Sequence, residues 1–308
     1  MTTALISHDD CLGHVTPDGH PEQVARLDAV LSALADKDLM RVEAPVGQDA
    51  AILRCHPQAH IDAVRAAAPG TGIVQIDADT YMSQGSLDAA YRAVGGAVKA
   101  VDMVIAGEVR NAFVATRPPG HHAEKTTPMG FCLFGNVAIA AKHALDAHGL
   151  DRVAIVDFDV HHGNGTQDLL WDEARAQFIS THEMPLYPGT GASHDRGAHG
   201  QITNIPLSVG TDGSLYRKII GNRIIPLLES FQPQMLFISA GFDAHQDDPL
   251  AGIALSTADF GWITEELAKA AGRLCDGRIV SCLEGGYDLP ALGASAALHV
   301  DGLIAAGA

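Results

Sequence analysis

Sixteen histidines stand in this sequence, and four of them form two adjacent pairs, His121-His122 and His161-His162. The second pair closes the run Asp157-Phe158-Asp159-Val160-His161-His162. At a strand end or in a tight loop, alternate side chains share a face, so Asp159 and His161 can offer an oxygen and a nitrogen to one metal ion. Asp243, in Gly241-Phe242-Asp243, adds a second carboxylate. Three protein donors with a fourth position open to water describe a catalytic zinc site, not a closed structural one. The set is oxygen-rich for zinc, so iron or another divalent ion also suits it. A water activated there needs a base, and His121 and His122, on a turn stiffened by Pro118 and Pro119, are candidates. Each ring needs a partner to fix its tautomer; Asp157 and Asn164 flank the metal motif and can serve. Tyr287, in Glu284-Gly285-Gly286-Tyr287, can donate a hydrogen bond to a developing oxyanion. The two glycines beside it let the backbone approach closely. Singly, each feature has a bland reading: a capped loop, a chance D-x-H, a turn. Jointly they point to a metal hydrolase.

Something must gather residues so far apart in the chain. Short β-branched runs mark strands at Ala4–Ser7, Ala112–Thr116, Val153–Asp157, Phe178–Thr181, Met235–Ala240 and Ile279–Leu283. Between them, helix-period stretches fall at Glu22–Ala35, Ser86–Ala106, Asn136–Ala147, Gly221–Ser230, Thr257–Ala271 and Leu289–Ala306. Such alternation predicts βαβ units and a mostly parallel sheet. Several strands are apolar throughout, as strands buried on both faces are. Each polar motif follows a strand, and in open α/β sheets the ligand crevice lies outside the carboxyl ends of the strands.

Composition excludes several alternatives. At 308 residues and 47% hydrophobic, the chain can bury a large core. A net charge of −17 makes it a poor grip for nucleic-acid phosphates or an anionic membrane, and suits a cationic partner better. Five cysteines without C-x-x-C spacing argue against a disulfide framework and a cysteine zinc ribbon. Met1–Cys11 has no basic region before an apolar one, and Thr126–Ala141 is too short and broken to span a bilayer. A cytoplasmic protein with no membrane partner is expected. Gly163-Asn164-Gly165 fails as a dinucleotide motif because Asp168 stands in the third glycine position. Walker and nucleophile-elbow motifs are missing. His182-Glu183 lacks the second histidine of a zincin helix. His56 and His60, with Pro57 between them, read as the exposed start of a helix.

The segments Arg117–Ala123, Asp157–Thr166, Gly241–Leu250 and Glu284–Asp288 resemble the signatures of the zinc-dependent histone deacetylase family, which includes bacterial deacetylase-like amidohydrolases and acetylpolyamine amidohydrolases. The resemblance runs from about His8 to the C-terminus. It implies the arginase–deacetylase fold, a single α/β domain over residues 1–308 around an eight-stranded parallel sheet flanked by helices. By the resemblance, Asp159, His161 and Asp243 hold one zinc ion. His121 and His122 are the tandem catalytic histidines, Asp157 and Asn164 their partners, and Tyr287 the catalytic tyrosine. Asn164 and the Glu-Gly-Gly-Tyr form are similar to the class II branch. A structural potassium ion is implied at Asp157, Asp159, His161, Ser180 and Thr181, partly through main-chain oxygens. Gly130, Phe131, Tyr187 and Leu250 match positions lining an acyl-lysine tunnel. The implied activity is hydrolysis of an acetylated lysine peptide or a related acetylated small amine. An acetylpolyamine hydrolase, an arginase-like ureohydrolase and an inactive acyl-lysine binding module are alternatives, and a homo-oligomer is compatible with the sequence. The Asp-x-Asp-x-His-His order and Tyr287 disfavour the ureohydrolase. No long insertion narrows the channel as in the polyamine enzymes.

Overall fold

The computed structural model describes residues 2–307. Its strands are β1 (Thr3–Ser7), β2 (Met40–Glu43), β3 (Ile73–Gln75), β4 (Tyr81–Ser83), β5 (Asn111–Val114), β6 (Val153–Asp157), β7 (Ala176–Glu183), β8 (Ile202–Leu207), β9 (Leu236–Ala240) and β10 (Ile279–Leu283). Its α-helices are α1 (Ala25–Ala33), α2 (Asp49–Ile52), α3 (Gln58–Ala67), α4 (Ser86–Ile105), α5 (Asn136–Asp146), α6 (Asn164–Leu169), α7 (Gly213–Ile219), α8 (Ile225–Phe231), α9 (Thr257–Leu274) and α10 (Leu289–Gly307). Eight strands form one sheet in the order β2-β1-β5-β10-β9-β6-β7-β8, every neighbouring pair parallel. The expected eight-stranded parallel α/β sheet is therefore present.

Alternate side chains of the inner strands of this sheet enter opposite cores. Val153 and Ile155 of β6 pack with α4 and α5, whereas Ala154 and Val156 pack with α1, α9 and α10. Layers on both faces account for the uniformly apolar strands. Helix α10 is long and apolar enough to cross a membrane by length and composition. Here it packs on α1 and α9.

Several sequence expectations need correction. Edge strand β2, Met-Arg-Val-Glu, is mostly exposed and lacks an apolar run. Strand β8 carries Asn204 and Pro206, which hid it; proline is tolerated at the sheet's edge. The hairpin β3–β4 is antiparallel and separate from the main sheet. The helix expected at Gly221–Ser230 is split into a π-helical turn at Ile220–Ile224 and α8, with Pro226 in its first turn. Expected exposed, His56 and His60 are buried, their rings stacked 4.4 Å apart. His56 Nε2 accepts from the Gly135 N–H and His60 Nε2 meets the Leu133 carbonyl, both at 2.9 Å. The pair braces the segment that follows Gly130 and Phe131, and burial with mutual repulsion holds His56 down to about 3.

Candidate active site

Strand β6 ends at Asp157, and the chain turns at once so that Asp159 and His161 enter a common space with Asp243, three residues beyond β9. His161 Nδ1 lies 3.1 Å from both Asp159 Oδ1 and Asp243 Oδ2. All three side chains are buried, with one donor atom each within 4.8 Å of the others. The carboxylates are oriented by main-chain donors: Gly285 N–H to Asp159 Oδ2 (2.8 Å) and Val160 N–H to Asp243 Oδ1 (2.9 Å). Gly285 is required here, since a Cβ would lie 2.1 Å from Asp243 Oδ2.

The tandem histidines are differentiated by their partners. His121 Nδ1 lies 3.0 Å from Asp157 Oδ2, a carboxylate. Burial opposes charge on His121, but Asp159 and Asp157 outweigh it and hold the ring well above the usual imidazole range. His122 Nδ1 instead faces Asn164 Oδ1 at 2.7 Å. Asn164 Nδ2 donates to Glu124 Oε1 (2.8 Å), and a carboxylate can only accept, which fixes the amide orientation. His122 Nδ1 therefore carries the proton, and Nε2 keeps its lone pair. Burial, then repulsion from His121 and His161, holds His122 well below the ordinary range. Glycine at 130 (φ +54°) lets the chain pass against this ring; a Cβ would sit 2.5 Å from His122 Cδ2.

Tyr287 stands where β10 gives way to the Gly285-Gly286 turn. Its ring packs 5.9 Å from Phe131, and the Arg26 guanidinium carbon lies 4.9 Å from its centroid. Among the described residues its hydroxyl has no hydrogen-bond partner. Burial pushes it well above the usual phenol range, so it stays a donor. Arg26 donates to the carbonyls of Gly286 and Glu284. It also pairs with Glu22, which receives Arg117 through Nη2 at 2.7 Å and lies 3.3 Å from His14 Nε2. On the other side, Asp248 Oδ2 accepts the Tyr287 N–H at 2.8 Å. Glu284 Oε2 takes the N–H groups of Gly120 and His121, tying the histidine turn to β10.

A cavity of about 370 Å³ opens above these groups. His122, His161 and Tyr287 lie on its lining with Gly130, Phe131, Tyr187 and Leu250, the four expected tunnel residues. His20, Asp79, Tyr81 and Leu186 complete much of the wall.

The sequence matches the histone deacetylase domain over residues 20–303. The chain belongs to the histone deacetylase family. It is 43% identical over 300 residues to an uncharacterized protein (slr0245) of Synechocystis sp., covering 95% of this chain and 96% of that one. A probable deacetylase of Archaeoglobus fulgidus is 37% identical over 298 residues, covering 94% and 82%. The crystal structure of the HDA15 HD domain superposes with a TM-score of 0.93 at 34% identity, covering 99% of this chain and 88% of that one. Like other histone deacetylases, the chain is an amide hydrolase.

The family is zinc-dependent, and the donor set fits a zinc ion. Two carboxylates and one imidazole converge, each carboxylate held by its own N–H donors. The position favours positive charge: burial opposes it, yet bonds to Asp159 and Asp243 push His161 up to about 10. At the expected potassium site, register pairs Asp157 with Ser180, and Thr181 Oγ1 lies 3.3 Å from the Asp157 carbonyl. The Ser180 hydroxyl itself turns to His182 Nδ1 at 2.9 Å.

Sequence reasoning missed the buried support of this site. Arg117 and Glu284 stood inside recognised motifs without a role. Glu22 and Arg26 are four apart near the start of a helix, a spacing that is usually a solvated pair. Only the fold shows that they lie behind Tyr287.

Proposed function

We propose that this deacetylase removes acetyl groups from lysine side chains of flexible peptides, within a single catalytic domain. The carrying observation is the cavity, whose apolar wall of Phe131, Tyr187 and Leu250 leads to His122, His161 and Tyr287. The methylenes of an acylated aminoalkyl chain suit that apolar wall. Zinc, held by Asp159, His161 and Asp243, supplies when bound a Lewis acid for the amide carbonyl and lowers the pKa of a water. His122 Nε2 takes the proton of the attacking water, because Nδ1 is committed to Asn164. The water oxygen bonds to the carbonyl carbon, and the carbon–nitrogen bond then breaks as His122 returns the proton to the leaving amine. His121, charged beside Asp157, stabilises the negative charge that builds nearby. Tyr287 donates its hydroxyl proton in a hydrogen bond to the former carbonyl oxygen. Potassium near Asp157 and Ser180 is a structural part of this proposal.

Acetyl-lysine peptides and acetylated polyamines, compared by kcat/KM on the zinc-loaded enzyme, test the reading. Preference for the peptides supports it. Preference for an acetylpolyamine replaces the substrate while leaving the chemistry intact.

A further inference from the structure

A second cluster of metal-ligand type lies outside the catalytic centre. Asp102 is near the end of α4, His143 is in the last turn of α5, and His148 follows that helix. The Nε2 atoms of both rings lie 2.7 Å from the same oxygen, Asp102 Oδ1. The rings meet edge to face, centroids 5.1 Å apart, and the three donor atoms lie within 4.8 Å of one another. We propose that Asp102, His143 and His148 bind one divalent transition-metal ion, zinc in type, as a surface clamp between α4 and α5.

Two imidazoles and a carboxylate are a common zinc donor set, with a fourth position left for water. Neither Nδ1 has a protein partner among the described residues. Each can carry its ring's proton toward solvent, leaving the Nε2 lone pair facing inward. Among the described residues no lysine or arginine pairs with Asp102, whose ion-pair partners there are His143 and His148. Lys142, next to His143, is engaged by Glu173 and Asp146. Access is open, since the Asp102 side chain is 43% exposed and that of His148 26%. Two of the donors sit on helices packed against each other, so little order is lost on binding.

The cluster is also remote from the reaction. Helix α4 ends just before β5 begins, and His148 precedes β6, so the cluster lies where strands enter the sheet. Every catalytic motif lies where strands leave it. Filling this site would give two metals per chain without a binuclear active centre.

The test is titration of the zinc-loaded enzyme with further Zn²⁺ by calorimetry, alongside Asp102→Asn and the double variant His143→Ala/His148→Ala. Wild type should take up one additional ion per chain. Asp102→Asn should bind it at least about 10-fold more weakly, since even loss of an outer partner costs about 10–100-fold, and the double variant should not bind it. Added zinc should raise the melting temperature of wild type but not of the double variant. Deacetylation at one zinc per chain should be the same in all three proteins. No second equivalent under excess zinc would overturn the proposal. So would a second equivalent undiminished in the double variant.

Discussion

Replacing Tyr287 with phenylalanine isolates a single O–H group. The ring and its contacts with Phe131 and the Arg26 guanidinium remain. Among the described residues the hydroxyl has no partner to strand, so stability should change by less than about 1 kcal/mol. Deacetylation builds negative charge on the carbonyl oxygen, and removing one of its donors costs about 10²–10³ in kcat, or roughly 3–4 kcal/mol. An interaction made only in the transition state lowers kcat and kcat/KM together. The measurement is steady-state kinetics on an acetyl-lysine peptide, with zinc content and melting temperature followed in parallel. A loss below about fivefold at full zinc occupancy would refute the oxyanion role, since a donor of this kind is typically worth about 10²–10³. A large fall in melting temperature would refute the argument differently, by showing that the hydroxyl supports the fold.

Asn164→Asp places a carboxylate 2.7 Å from His122 Nδ1. It should raise the His122 pKa, and because the base works deprotonated, the acidic limb of the kcat/KM profile should move to higher pH. Gly285→Ala would drive a Cβ into the Asp243 carboxylate and should reduce zinc retention, read by elemental analysis after dialysis against a weak chelator. Glu22→Gln leaves Arg26 and Arg117 buried without their acid, which should cost about 3–5 kcal/mol in urea unfolding. Burial opposes charge on Glu22, but Arg117 and His14 hold its carboxyl well below the usual carboxylate range. Its stabilisation is therefore full above the unfolded carboxyl pKa and lost as pH falls toward the folded one. Wild type and Glu22→Gln should converge in stability under strong acid.

The placement of the candidate site was legible in the sequence because its residues sit in short runs at strand ends, and their spacing survives in one dimension. Asp159, His161 and Asp243 meet as their types suggest, and Asn164 faces His122. Strands β2 and β8 were not legible, because edge strands need no apolar run. Buried charges were hidden for a different reason. The pairing of Arg26 with the carbonyls of Glu284 and Gly286 joins residues about 260 positions apart, and nothing local in either segment announces it. The exposed reading of His56 and His60 failed similarly, since their partners lie far along the chain at Leu133 and Gly135.

The strand order has a consequence for synthesis. Strands β9 and β10 are made late, yet they occupy the middle of the sheet, between β5 and β6. Until they emerge from the ribosome, β5 and β6 each keep one unpaired apolar edge, the kind of edge that recruits other chains. At about 5–20 residues per second, the interval from the end of β5 to the end of β10 is on the order of ten seconds or more. A nascent chain stalled before β9 would hold Asp159 and His161 but neither Asp243 nor the strand that positions it. Gathering Asp159, His161 and Asp243 thus requires β9, and truncation before β10 should yield aggregates rather than a weakened enzyme.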